Sequence, residues 1–100
     1  MGRYHRTKPE RLHEKLLQIR QALGLSQNQM IRKLGLHEHL TQSRISGYEL
    51  GNREPSLITL LRYARAAGIC VDDLIDDDLD LPKRLPSTPK HGFKNNQRNR

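Results

Sequence analysis

The sequence predicts an all-α domain of five helices, with a lengthened turn between the second and third and a flexible basic C-terminal tail. Three observations carry this. Apolar residues recur at helical spacing through successive short segments. Glycines stand where those segments end, at Gly24, Gly35, Gly51 and Gly68. Prolines fall at Pro9, at Pro55 and from Pro82 onward, which leaves the interior free for helix.

Thr7-Lys8-Pro9-Glu10 has the spacing of a capping box with proline in the first turn, and predicts the start of the first helix. Leu12, Leu16, Ile19 and Leu23 continue it to a stop at Gly24. Ser26 can cap a second helix from Gln27 to Leu34, with Met30, Ile31 and Leu34 facing inward. A third starts at Thr41 or Gln42, buries Ile45 and Tyr48, and leaves through a left-handed Gly51 after Leu50. Pro55 or Ser56 opens a fourth, whose expected buried face is Leu57, Leu60, Leu61, Ala64 and Ala67, ending at Gly68. Val71 to Ile75 forms a short fifth, with Asp72 and Asp73 at its positive end. The expected division is a basic arm over residues 1–8, a folded domain over 9–81 and a Pro-containing tail over 82–100, disordered in isolation.

Composition narrows the function classes. One hundred residues allow one small domain, and a single Phe with no Trp leaves a modest aliphatic core that a partner subunit would support. The lone Cys70 excludes an internal disulfide and a multi-cysteine zinc site, which fits a reducing cytoplasm. No apolar run reaches membrane length, and the first residues are charged, so no membrane partner is expected. The net charge of +7 sits at the ends. Arg3, Arg6 and Lys8 lie at one, and Lys83, Arg84, Lys90, Lys94, Arg98 and Arg100 at the other, with no acid among residues 83–100. Such arms are electrostatic handles for polyphosphate, solvated segments, or sites for a protein partner.

Two short helices joined by a turn, the second bearing small and amide side chains outward, form a device for placing a helix in the DNA major groove. Residues 10–76 also resemble a known family. Arg20, Gly24-Leu25-Ser26-Gln27, Leu34-Gly35, Ile45-Ser46, Tyr48-Glu49-Leu50-Gly51, Arg53-Glu54-Pro55, Ala64, Gly68-Ile69 and Asp72-Asp73-Leu74 carry the likeness. The pattern is similar to the phage-repressor, Cro-type helix-turn-helix family, the XRE family. The resemblance implies a lambda-repressor-like fold of five helices and a homodimer on a palindromic operator of double-stranded DNA.

Roles follow position by position. Gln42, Ser43, Arg44, Ser46 and Gly47 lie where the family reaches base edges. Gln can bond adenine bidentately, Arg can do the same to guanine, and Ser suits either. Arg44 projects to the side of the face formed by 42, 43 and 46, within reach of a phosphate. Gly47 stands where the family often has a long polar residue, so either the backbone approaches closely there or that base goes unread. Gln27, Thr41, Asn52 and Arg53 are the expected phosphate contacts, which position the protein without reading sequence. Arg20 and Glu49 match the family's ion pair between the first and third helices.

Two departures mark this chain. Gly35 to Ile45 takes ten residues where the family takes about six, and Ile31 replaces the family's small Ala. Leu36 and Leu40 in the inserted Leu36-His37-Glu38-His39-Leu40 are four apart, which fits one extra helical turn on the core or a longer loop beside the groove. His37 and His39 alone do not make a structural zinc site. No Gly-rich phosphate loop or nucleophile elbow appears, and the aspartates of 72–80 lack the spacing of a calcium loop, so neither enzyme nor cofactor is expected. The expected function is a sequence-specific DNA-binding transcriptional regulator, a repressor, with the third helix in the groove. The competing readings are the antitoxin of a toxin–antitoxin pair, its tail ordering on the toxin, and a helical adaptor that binds protein alone.

Overall fold

A computed structural model describes residues 8–86. Five helices follow in order: α1 Leu12–Leu23, α2 Gln27–Leu34, α3 Gln42–Leu50, α4 Leu57–Ala67 and α5 Val71–Ile75. α1 packs against α3, α4 and α5, while α2 bridges α3 and α4. Among the described residues no helix is long and apolar enough to cross a membrane. The expected arm residues Arg3 and Arg6, and the tail residues Lys90, Lys94, Arg98 and Arg100, lie outside the described residues.

The helix stops fall at the expected glycines, each in the left-handed region. Gly35 shows a second demand for a bare backbone. A Cβ there would meet Arg62 Nη1 at 2.9 Å. That guanidinium donates to the Leu34 carbonyl at 2.8 Å, so α4 satisfies an orphan carbonyl at the end of α2.

The core is a single cluster that includes Leu16, Ile19, Met30, Ile31, Leu34, Ile45, Tyr48, Tyr63 and Leu74. Two expectations for α4 are corrected. Leu57 is 83% exposed and Leu61 only half-buried. The buried stripe is instead Leu60, Tyr63, Ala64 and Ala67, at i, i+3, i+4 and i+7. Leu57 is the first residue after the Ser56 cap and lines an open groove with Leu12, Val71 and Ile75. Burial raises the Tyr63 phenol above its ordinary pKa.

The start of α1 is also corrected. The helix begins at Leu12, with Arg11 at its cap position and no side-chain cap of its own. The expected box does not form the start: Thr7 lies outside the described residues and Glu10 precedes the helix. The cap comes from the far end of the domain. The Asp77 carboxylate accepts the backbone N–H of Glu10 at 2.9 Å and of Arg11 at 3.0 Å. The Arg11 guanidinium in turn donates to the Asp77 carbonyl at 2.7 Å, to the Asp80 carboxylate at 2.6 Å and, more weakly, to the Leu79 carbonyl at 3.5 Å. Lys15, on the core-facing stripe of α1, is buried and donates to the carbonyls of Asp73 and Asp76, both at 2.8 Å. An acid beyond α5 therefore caps α1, and a lysine of α1 caps α5. Leu81 and Leu85 then pack on the same core, Leu85 being buried. Packing thus continues past residue 81, where the sequence suggests the tail begins.

This clasp gives stability a pH dependence. The backbone donors of Glu10 and Arg11 hold the Asp77 carboxyl below its ordinary value of 3.8, and the Arg11 guanidinium does the same for Asp80. A carboxyl depressed in the folded state stabilises above its unfolded pKa, and that contribution fades as pH falls through the folded one. Asp77→Ala should therefore lower the melting temperature at pH 7. Its melting temperature should also decline less than the wild type's on acidification below about pH 4. Parallel curves for the two proteins would remove Asp77 from the cap.

The insert takes the first of its two expected forms. The N–H groups of His39 and Leu40 both donate to the Leu36 carbonyl, at 2.8 and 2.9 Å, closing one turn. Leu36 is buried and Leu40 packs against the core, while His37, Glu38 and His39 are exposed. The turn delivers the chain to Thr41, whose hydroxyl caps α3 by accepting from Arg44 N at 3.2 Å.

Candidate nucleic-acid interface

The outer end of α3 carries a row of polar side chains. Gln42, Ser43 and Arg44 are exposed in its first turn, Thr41 is exposed at its cap, and Ser46 is half-buried one turn on. The N-terminus of α2 lies beside them, because Gln42 Nε2 donates to Gln27 Oε1 at 3.2 Å. Ser26 and Gln29 close a reciprocal capping box at this end of α2, at 3.1 and 2.8 Å. Neither α2 nor α3 has an acid in its first turn, so both positive helix ends are left uncompensated at one place. Paired helix N-termini with free first-turn N–H groups suit an anionic oxygen.

The base of this row is rigid. Arg20 forks onto Glu49, with Nε to Oε2 at 2.7 Å and Nη2 to Oε1 at 3.0 Å, and gives Nη1 to the Leu25 carbonyl at 3.0 Å. The Glu49 side chain is 5% exposed and that of Arg20 18%. Gln27 Nε2 also donates to Glu49 Oε1, at 3.1 Å. A continuous chain thus runs from Arg20 through Glu49 and Gln27 to Gln42. Read from the sequence, Gln27 and Gln42 have separate roles, and nothing in their separation of fifteen residues signals that they touch.

Gly47, expected at the base edges, also meets a neighbour within the domain. It is buried, and a Cβ there would meet the Arg53 side chain at 3.0 to 3.4 Å. The glycine leaves room for the Arg53 side chain. Its carbonyl accepts the N–H groups of Asn52 and Arg53, at 2.9 and 3.2 Å, which fixes the loop after α3. Asn52 and Arg53 are themselves exposed. Lys15 and Asp77 lock α1 behind this surface; in sequence Lys15 reads as a solvent-facing helix lysine and Asp77 as one of a solvated run of acids after α5.

The pattern of the helix-turn-helix family matches residues 16–74, well over half the chain and all of α2 and α3. The chain belongs to the XRE-type helix-turn-helix family. Members of this helix-turn-helix family are DNA-binding transcription regulators, and the five-helix fold agrees with that assignment. A comparison with curated proteins finds no match. In this helix-turn-helix domain the extra turn of Leu36 to Leu40 lies inside the matched region, between the two helices that name the family. Among the described residues no group of three or more His, Cys, Asp or Glu is placed to hold a metal ion.

Proposed function

We propose that the protein is a cytoplasmic repressor that binds double-stranded DNA sequence-specifically as a homodimer, with α3 in the major groove. The observation that carries this is the joining of the α2 and α3 N-termini through Gln42 and Gln27, at a surface rich in amide, hydroxyl and guanidinium groups. The carboxylate tied to that surface, Glu49, is buried and paired, so it presents no exposed charge to phosphate. Gln42, Ser43 and Ser46 face the base edges, and Arg44 takes a base or a flanking phosphate. Gln27, Thr41, Asn52 and Arg53 hold the backbone. A dimer is supported by the apolar groove among Pro9, Leu12, Pro55, Leu57, Leu60, Val71 and Ile75. Leu57 and Ile75 stand exposed beside it, which suits a second copy.

Salt-dependent binding tests the reading. Anisotropy titrations with duplexes from the protein's own upstream region should show affinity falling linearly with salt on logarithmic axes. Arg53→Ala should weaken all sequences alike and reduce the slope by about one, whereas Gln42→Ala should change the preferred base. Failure to bind any such duplex at low salt and micromolar protein would overturn the reading in favour of a protein-binding adaptor.

A further inference from the structure

We propose that the cavity between the inserted turn and α4 binds a small carboxylate with an apolar body, and that this ligand and DNA compete for Arg44. The site stands on the cavity itself, and the competition rests on the DNA reading above. The cavity has a volume of about 490 Å³. Small-ligand sites commonly enclose about 300–1,000 Å³. Three elements supply its walls. Leu36, His39 and Leu40 come from the turn that lengthens the passage between α2 and α3. Arg44 and Tyr48 come from α3, and Ile58 and Arg62 from α4.

Charge fixes the sign of the ligand. Two guanidiniums line the cavity, and among the described residues no carboxylate does. Arg62 is half-buried and gives one N–H to the Leu34 carbonyl at 2.8 Å. A guanidinium has five donors, so four remain. The bond to Leu34 also holds the group in place, so little side-chain freedom is lost when an anion arrives. The neighbouring hydroxyls are already engaged: those of Ser56 and Thr59 bond each other at 3.0 Å, and Ser56 caps α4.

The rest of the lining fixes the body of the ligand. Leu36 is buried, Leu40 packs against the core, and Ile58 is 57% exposed at the start of α4. A bare phosphate would satisfy the arginines and leave this apolar surface wet. A planar carboxylate matches the guanidinium fork, and a short aliphatic or aromatic body covers Leu36, Leu40 and Ile58. Arg44 belongs to both sites, because it is exposed in the first turn of α3 and also lines the cavity. A carboxylate held on Arg44 neutralises a cation that DNA would use and sets a negative charge beside the groove. By linkage the effect is reciprocal, so the ligand weakens DNA binding and DNA weakens the ligand.

Sodium benzoate is the probe, titrated into the full chain without DNA, with inorganic phosphate and benzamide at matched ionic strength for comparison. The methyl resonances of Leu36, Leu40 and Ile58 should shift saturably with benzoate, with a dissociation constant near or below about 1 mM. Phosphate and benzamide should bind at least about tenfold more weakly, since one lacks the body and the other the charge. Arg62→Gln should weaken benzoate by about tenfold or more. Ile58→Glu, at an exposed position, should keep the fold and lose benzoate binding. With DNA present, saturating benzoate against matched chloride should lower wild-type duplex affinity by about fivefold or more, and leave that of Ile58→Glu unmoved. Absence of a saturable shift, equal binding of phosphate or benzamide, or retained binding in Ile58→Glu overturns the site. Benzoate binding with no loss of duplex affinity overturns the competition. If the wild type binds no duplex even without benzoate, the DNA reading fails, and the DNA-free titration still decides the cavity.

Discussion

Replacing Glu49 by alanine should cost about 3 kcal/mol of stability, several times the cost of Glu38→Ala, which should stay within about 0.5 kcal/mol. Glu49 is nearly fully buried and receives three side-chain hydrogen bonds, two from Arg20 and one from Gln27. Its removal strands the Arg20 guanidinium and leaves the Gln27 amide without its acceptor. Arg20 retains the Leu25 carbonyl and some access to solvent, which keeps the loss near the lower end for a broken buried pair. Glu38, on the exposed turn of the insert, offers a fair control. For a domain of this size the difference amounts to roughly 10–20 °C in melting temperature. The double variant Arg20→Met, Glu49→Leu should recover much of the loss, because no charge is then left unpaired. Equal melting temperatures for Glu49→Ala and Glu38→Ala would show that the pair contributes no more than a surface contact.

Ser43→Glu should lower DNA affinity by roughly 100-fold or more, since a carboxylate in the groove would stand among phosphates and base acceptors. The same substitution should leave folding unharmed. Ser43 is exposed in the first turn of α3, where a negative charge opposes the helix dipole favourably. An unchanged or slightly raised melting temperature beside lost binding would therefore place the defect at the interface. Ser43→Ala, which removes one hydroxyl and adds no charge, should lose less than about tenfold. If Ser43→Glu binds as the wild type does, α3 does not enter the groove by its N-terminal turn.

Much of this architecture is legible from local chemistry. The stops at Gly24, Gly35, Gly51 and Gly68 and the caps at Ser26, Thr41 and Ser56 each depend on one residue and its immediate neighbours. The features that were not legible depend on residues far apart in the chain. Asp77 replaces a local capping box at the start of α1 from more than sixty residues away, and no spacing rule reaches that far. Lys15 reads as a solvent-facing lysine because its carbonyl partners come from the turn after a helix that forms later in the chain. Leu57 has the right type and the right spacing for the core, yet it stands exposed at the first position of α4. At the interface the residue types were readable and their coupling was not. Gln27 and Gln42 are both visible as polar residues at helix starts, but their contact exists only once the turn of Leu36 to Leu40 has folded back.

The mutual capping of α1 and α5 also bears on how the domain comes into being during synthesis. On the ribosome α1 has no cap for its opening turn, and Lys15 no carbonyl partners, until residues 73–77 have followed. Leu85, which closes the core, emerges later still. The nascent chain therefore has no self-sufficient front half. α1 waits as a frayed, amphipathic segment until residues 73–77, made well after it, complete its first turn.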